Sequence, residues 1–393
     1  AGGGGGGRIA MYYTTDSSTV TYQNYGGKNS TFTSRMGGAG TIYKKSAAQT
    51  NGDLLVDNND QDSWDYRYYG TTPIDETIVF DTLTIQNYGH LRIASSADIT
   101  YTTLDWATKG VIHDDGGVFD LVSGGGSLAI SATTRLYENV VRTYTDITVD
   151  GQLILSNYDM TTNKLAVSGN VTITTTGILY HFSNSTAETH VINLEAANLT
   201  VEAGGTINLD SKGYSGGYGP GAGVSTGGNH YDAGGGSYGG KGGQGVHTSA
   251  GSTYGSITVP VNIGSGGGNS TFITSTRGGY GGGAVRLNIS GTTTIDGSIT
   301  TNGGTGGGTD ESSGGGSGGS VYITTDTLLG AGSIIANGGI SSGGSAGGGG
   351  GGRIAMYYTT DSSTVTYQNY GGKNSTSTSR MGGAGTIYKK SAA

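Results

Sequence analysis

The chain has 393 residues, of which 81 are Gly and only 3 Pro, with no Cys and a formal net charge of −8. This excludes collagen, which needs glycine at every third position and abundant proline, a disulfide-stapled scaffold, and a nucleic-acid binder, which needs a basic stripe to meet phosphate. Hydrophobic residues are 33% and charged residues 12%, so Ser, Thr, Asn and Tyr fill the difference. Thr and Tyr favour strands and Gly disfavours helices. No window carries the i, i+3, i+4, i+7 apolar pattern of an amphipathic helix, and no apolar run approaches the roughly eighteen residues of a membrane-spanning helix. The expected class is all-β.

Residues 1–48 begin AGGGGGGRIAMYYTTDSSTV, and the same text returns at 346–393 with one difference, Phe32 against Ser377. A repeat of this kind takes precedence over local reading. It predicts one 345-residue unit followed by the start of the next, in a chain that continues in both directions. Tyr12, Tyr13, Tyr22, Tyr25 and Tyr43 belong to an excess of tyrosine, 26 against 5 Phe and 2 Trp. Alternation along a strand puts Tyr12 and Tyr13 on opposite faces, so one points outward. An amphipathic ring there suits lateral contact or sugar stacking, and ordinary strand filling is the simpler role. A ring exchanged for a hydroxymethyl at 32/377 marks an exposed position.

Residues 49–76 read as an acidic loop insertion. DNNDQDSWD at 57–65 spaces Asp57, Asp60, Asp62 and Asp65 as oxygen ligands in a loop can be spaced for calcium. It lacks the glycine and glutamate of an EF-hand, and a solvated acidic loop is the simpler reading. HDDGGVFD at 113–120 has a similar character.

Residues 77–210 read as β-helix coils. Ile85, Leu91 and Ile93 alternate with polar residues, as do Ile147, Val149, Leu153 and Leu155, then Val171 and Ile173, then Leu199, Val201, Ile207 and Leu209. Period two places each set on one strand face, and glycines such as Gly151 mark a bend between strand halves. The six histidines are scattered, and His181 and His190 are not at a ligand spacing. A glycosidase needs two carboxyls across a cleft, and a lyase needs a basic residue among them. Lys109, Arg135 and Arg142 have no acidic company in sequence, so no enzyme is expected. Asn184 and Asn269 are the glycosylation sequons that an extracellular location would allow; Asn170, Asn198 and Asn288 fall in expected strands, where a glycan is awkward.

Residues 211–345 read as glycine-rich β-helix coils, and 346–393 as the start of the next unit. GGGAVRLNISGTTTIDGSITTNGG, GGSVYITTDTLLGAGSIIANGG and GGRIAMYYTTDSSTVTYQNYGG align. Their leading apolar residues are Val285, Val321 and Ile354, followed by Ile387, at steps of 36, 33 and 33 residues. Asn302 and Asn337 share one slot before Gly-Gly, and Gly297 marks the bend. The glycine runs are either floppy loops or extended, polyglycine-II-like segments. Ordering glycine costs more chain entropy than ordering any other residue, so order requires runs stacked on similar runs.

Short strands, one bend per coil and a coil repeat of about 20–36 residues predict a parallel β-helix, a β-solenoid whose coils shield one another's apolar interior. Its connections should be right-handed on sheet-twist grounds. A β-sandwich is the rival, and it needs more hairpin turns than the sequence supplies. GGGSGGSVYITTDTLLGAGSIIANGG and GGGGGGRIAMYY resemble the glycine-rich β-solenoid repeats of very large bacterial cell-surface, adhesin-like proteins. The resemblance is best over 280–372 and the opening copy, weaker over 77–210 and absent at 49–76. It implies an extracellular or cell-surface location and a structural or adhesive role without catalytic residues. The expected function is a structural unit of a fibre, stalk or sheath that stacks end to end on copies of itself. The alternatives are a polysaccharide-binding or adhesive module, a polysaccharide lyase or hydrolase and, more distantly, ice binding by Thr-rich strands such as VTITTTG.

Overall fold

The computed structural model describes residues 3–27, 37–60, 70–106, 109–119, 127–138, 142–156, 158–225, 232–270, 277–307, 312–375 and 378–392. Asp62, Asp65, Phe32 and Ser377 lie outside them. Regular structure among the described residues is strand, apart from a 3-10 turn at Thr378–Arg380. The chain is an all-β parallel β-helix that divides into two compact units: Ala1–Val140 with Val149–Ile154, and Val141–Thr148 with Leu155–Ala393.

In the first unit, strands Thr72–Ile74, His90–Ile93, Val111–Asp114 and Arg135–Glu138 run parallel. Register aligns Ile74 with Ile93, and Leu91 with Ile112 and Leu136. All of these side chains are buried. A second wall pairs Asp53–Asp57 with Thr77–Gln86 and that strand with Asp98–Trp106, again in parallel. Every second residue turns inward, so each rung covers the apolar interior of the next.

The segment 49–76 is not an acidic loop alone. DLLVD forms the strand Asp53–Asp57, because Leu54 and Val56 alternate into the core while the acidic residues face out. It pairs antiparallel with Thr41–Ser46, matching Ile42 to Leu55 and Lys44 to Asp53. Strand direction therefore reverses at this point, which the sequence reading missed.

In the second unit, coils carry up to three strands. Ile192–Ala196, Asn198–Val201 and Thr206–Asn208 are followed by Ala284–Ile289, Thr292–Ile295 and Ser298–Thr300. Ser320–Leu329 and Ser333–Ile335 form the next coil, then Arg353–Asp361 and Thr366–Gln368, and finally Thr386–Ser391. Each strand pairs in parallel with its counterpart one coil on. Ile192, Val285, Val321, Ile354 and Ile387 form one ladder. Leu179, Ile207, Ile299, Ile334 and Tyr367 form another. A coil has two bends rather than one. Gly205, Gly297 and Gly332 align at one, and Gly169, Ala197, Gly291 and Asp326 hydrogen-bond in sequence at the other.

Between Thr206–Asn208 and Ala284–Ile289 lies the longest glycine-rich stretch. The glycine runs, in this stretch and in the coils that follow it, are stacked rather than floppy. Backbone N–H groups donate in a relay from Gly382 to Gly372, Gly349, Gly339, Gly316 and Gly304, with N···O distances of 2.7–3.0 Å. Further runs join at the sides: Gly350 donates to Gly236, Gly236 to Gly315, and Gly315 to Gly347. Glycine is required by proximity. A methyl at Gly349 would run into the carbonyl oxygen of Gly316, and one at Gly350 into that of Gly240. Backbones this close satisfy one another's polar groups without side chains, which offsets the entropy of ordering them.

Candidate assembly interface

The two copies of the 48-residue repeat have the same internal structure in different surroundings. Gly27 donates to Gly4 at 2.7 Å, as Gly372 does to Gly349. Gly40 donates to Asn24 at 2.8 Å, as Gly385 does to Asn369, and Gly6 to Gly38 at 2.9 Å, as Gly351 does to Gly383. Arg8–Tyr13 pairs in parallel with Thr41–Ser46, as Arg353–Asp361 does with Thr386–Ser391. The repeat is thus a module with the same backbone pairing in either place, although Asn24 Nδ2 donates to Thr41 at 3.0 Å and its counterpart Asn369 Nδ2 does not find that bond.

What differs is the neighbour on each side. Arg353–Asp361 lies between Thr386–Ser391 and Ser320–Leu329, whereas Arg8–Tyr13 is the end strand of its sheet. Residues 366–368 form a strand against Ser333–Ile335, while residues 21–23 form none. Val365 is 7% exposed and its counterpart Val20 is 59% exposed. The other side shows the converse. Ile42, covered by Asp53–Asp57, is 5% exposed; Ile387 is 44% exposed. The first copy is bare on the side where a preceding coil sits. The second is bare on the side where a following coil sits.

The contacts that hold the second copy converge on Arg353, which is buried. Its guanidinium lies 5.3 Å from the Tyr238 ring centroid. Its Nη2 donates to the Tyr254 carbonyl at 2.8 Å and its Nε to the same oxygen at 3.1 Å. Tyr238 and Tyr254 pack with centroids 4.8 Å apart, and the Tyr238 hydroxyl meets Ser320 Oγ at 2.7 Å. Burial pushes Tyr238 up to about 12 and Tyr254 upward as well, so both rings stay neutral beside the cation. Tyr357 donates its hydroxyl to the Thr258 carbonyl at 3.1 Å. An aromatic line runs along the strands from Tyr322 to Tyr357 to Tyr388, at 5.9 and 5.7 Å. Burial pulls Asp361 upward, but hydrogen bonds from Lys389 at 2.7 Å and from Ser363 outweigh it and hold the carboxyl below its usual range.

No family model, curated protein or solved structure matches the chain.

Of the tyrosines singled out from sequence, Tyr12 is 75% exposed and Tyr13 half-buried, as strand alternation requires. Tyr12 meets Tyr43 edge-on at 5.9 Å, and Tyr43 meets Phe80 at 6.5 Å. Tyr22 lies under Lys44 Nζ, 4.3 Å from the ring centroid, and Tyr25 is half-buried. These residues do not form one cluster.

The calcium reading finds little geometric support. Asp57 accepts hydrogen bonds from the Asn59 amide and the Gln86 and Asn87 side chains, so neutral donors use both its oxygens. Asp60 sits in a left-handed turn and pairs with Lys109 at 2.8 Å. Lys109 thus has the acidic partner that its sequence neighbourhood lacks. Among the described residues no group of three or more His, Cys, Asp or Glu side chains is placed to hold a metal ion.

The two sequons are structural. Asn184 is buried; its Nδ2 donates to the His190 and Lys212 carbonyls at 2.8 Å each, and its Oδ1 accepts from the Thr189 and His190 amides. A glycan has no room there. Asn269 ties glycine runs together, donating to Gly216 and accepting from Gly278.

Sequence reasoning missed Arg353 and a stack of His90, His113 and Tyr137, with centroids 5.4–5.9 Å apart. All three rings are buried. Asp115 bridges Arg92 at 2.6 Å and His113 at 3.1 Å. Burial pushes His90 down to about 3 and lowers His113, against the pull of Asp115. Register sets Arg92 and Tyr137 beside His113, one coil apart on either side. That coil spacing is a signal the sequence held.

Proposed function

We propose that this chain is a structural unit of an extracellular fibre, stalk or sheath, built by end-to-end stacking of tandem β-solenoid units. One observation carries the reading. The two copies of the repeat are bare on opposite sides, and each side's missing neighbour is present at the other copy. A coil cannot cover its own apolar face, and neighbours supply the cover. A sequence that restarts every 345 residues supplies the same neighbour each time. The composition, rich in Gly, Ser, Thr and Asn, and the resemblance to cell-surface repeats support an extracellular setting.

The test is a chain carrying two complete 345-residue units before the closing copy, imaged by electron microscopy beside the single-unit chain. A rod that lengthens by a constant increment per added unit supports the reading. Separate beads, or a body that grows equally in all directions, overturns it.

A second reading, a carbohydrate-binding surface, is favoured by the exposed Tyr12 ring beside Tyr43, an amphipathic platform of the kind sugars stack on. It predicts polysaccharide retention that Tyr12→Ala abolishes. In the second copy the same ring is half-buried and donates to Thr258, which favours the assembly reading.

A further inference from the structure

We propose that Tyr357 and Tyr388, and their counterparts Tyr12 and Tyr43, form a dityrosine site, at which a peroxidase-type oxidant joins one coil to the next through a carbon–carbon bond. Both rings of each pair belong to one copy of the repeat, so the site is independent of how units stack.

The chain holds 26 Tyr against 5 Phe, and no Cys to staple its coils. Parallel register sets Ala355 between Tyr322 and Tyr388, one coil away on either side, with Tyr357 two residues along the same strand face. The small Ala355 side chain leaves room above it. The Tyr357 ring centroid lies 5.9 Å from that of Tyr322 and 5.7 Å from that of Tyr388. The first copy repeats the arrangement. Ala10 is the register partner of Tyr43, and Tyr12 meets Tyr43 at 5.9 Å with planes inclined at 61°, against 50° for Tyr357 and Tyr388. One pair thus keeps one geometry in two surroundings. Hydroxyl bonds anchor it: Tyr357 donates to the Thr258 carbonyl at 3.1 Å, and Tyr43 to the Asn51 carbonyl. Each position stays partly open to solvent with strands on both sides. Tyr357 lies between Ser320–Leu329 and Thr386–Ser391, and Tyr43 between Arg8–Tyr13 and Asp53–Asp57. Beyond Tyr43 the next ring is Phe80, at 6.5 Å, which has no phenol to oxidise.

Hydrogen peroxide, acting through a peroxidase, is the oxidant. Each phenol gives up one electron and its O–H proton and becomes a phenoxyl radical, with unpaired spin on the ring carbon ortho to oxygen. Two such carbons couple, and each then passes its C–H proton to its own ring oxygen, which restores both phenols. In sum, two electrons and two protons leave the pair and reduce one peroxide to two waters. Rings already held side by side couple with each other ahead of a partner that must diffuse in. Residues 357 and 388 are 31 apart, as are 12 and 43. The new bond closes that loop between adjacent coils and restricts the unfolded chain as a disulfide does.

The test treats the 393-residue chain with peroxidase and hydrogen peroxide and digests it with trypsin. Both copies release the same peptides, IAMYYTTDSSTVTYQNYGGK and MGGAGTIYK, so one joined product reports both sites. It should appear at the summed mass less two hydrogens. Fragmentation should place the link at Tyr12 or Tyr357 on the first peptide and at Tyr43 or Tyr388 on the second. Its yield should be unchanged by tenfold dilution of the protein, as expected of a link within one molecule. Tyr12→Phe with Tyr357→Phe should abolish the product. Tyr13→Phe with Tyr358→Phe, on the opposite strand face, should keep it. Absence of the joined peptide, a link at any other tyrosine, a yield that falls on dilution, or a product that survives Tyr12→Phe with Tyr357→Phe overturns the proposal. The position of the link is read in the parent chain, so it stands even where a variant fails to fold.

Discussion

The Arg353 guanidinium sits 5.3 Å from the Tyr238 ring centroid and donates to the carbonyl of Tyr254, residues 115 and 99 positions away in the chain. One side chain thereby fixes a repeat copy to the glycine-rich stretch. Removing it takes both guanidinium donors from the part-buried Tyr254 carbonyl, at about 1–3 kcal/mol, together with the lost contact over the ring. Arg353→Ala should reduce hydrogen-exchange protection of the Gly349 and Gly350 amides at least tenfold. Arg8→Ala, the same change in the exposed copy, should leave stability within about 0.5 kcal/mol.

The glycine stack predicts an asymmetry between copies. Gly349→Ala places a methyl against the Gly316 carbonyl and should cost about 1–3 kcal/mol or more through overpacking. Gly4→Ala meets nothing and should be neutral, or stabilising by up to about 1 kcal/mol through the unfolded chain. Chemical denaturation of the paired variants checks this, and equal effects would contradict it.

Val20 and Val365 offer the same comparison in an apolar side chain. Val365→Ala removes buried methyl groups and should cost about 1–2 kcal/mol at about 0.8 kcal/mol per group. Val20→Ala should cost only a few tenths of that. The readout is the difference in denaturation midpoint between the two single variants.

Acid should weaken the second unit through His181. Burial pushes this imidazole down to about 3. Its Nδ1 lies 2.7 Å from the Phe182 carbonyl and its Nε2 accepts the Ala284 amide at 3.3 Å. Protonating Nε2 would set two N–H groups against each other. The folded form holds its proton less tightly than the unfolded chain, whose histidine titrates near 6.5. The stability is therefore complete above about pH 6.5 and falls as pH drops towards 3, by up to about 1.4 kcal/mol per pH unit. His181→Leu should flatten that slope in urea midpoints measured from pH 7.5 downward, while lowering the plateau. A slope unchanged by the substitution would assign the acid sensitivity elsewhere.

Much of the fold was legible because its rules are local. Val285, Val321, Ile354 and Ile387 were aligned by spacing and prove to be register partners. Asn302 and Asn337 were placed in one slot, and the Asn337 amide donates to Asn302 Oδ1 at 2.8 Å, one coil apart. Glycine stacking stood open beside floppy loops in the sequence, where entropy set only its condition: such runs are ordered only against one another. The strand Asp53–Asp57 was not legible, because its outward residues are acidic and drew attention from Leu54 and Val56 between them. Nor was the Arg353 anchor, whose partners lie in a stretch with no period. The sequence singled out Tyr12, Tyr13, Tyr22, Tyr25 and Tyr43, whereas the tyrosines that meet Arg353 are Tyr238 and Tyr254 in the glycine-rich stretch.

The shared backbone pairing of the two repeat copies has a consequence at the level of the gene. A crossover anywhere inside one copy's coding sequence, paired with the other, joins two halves of the same module. The product gains or loses 345 residues at a stroke, and every strand of the recombined module still finds its own hydrogen-bonding partners. Variants of this protein from different isolates should therefore differ in length by whole units, with the fold of each unit unchanged.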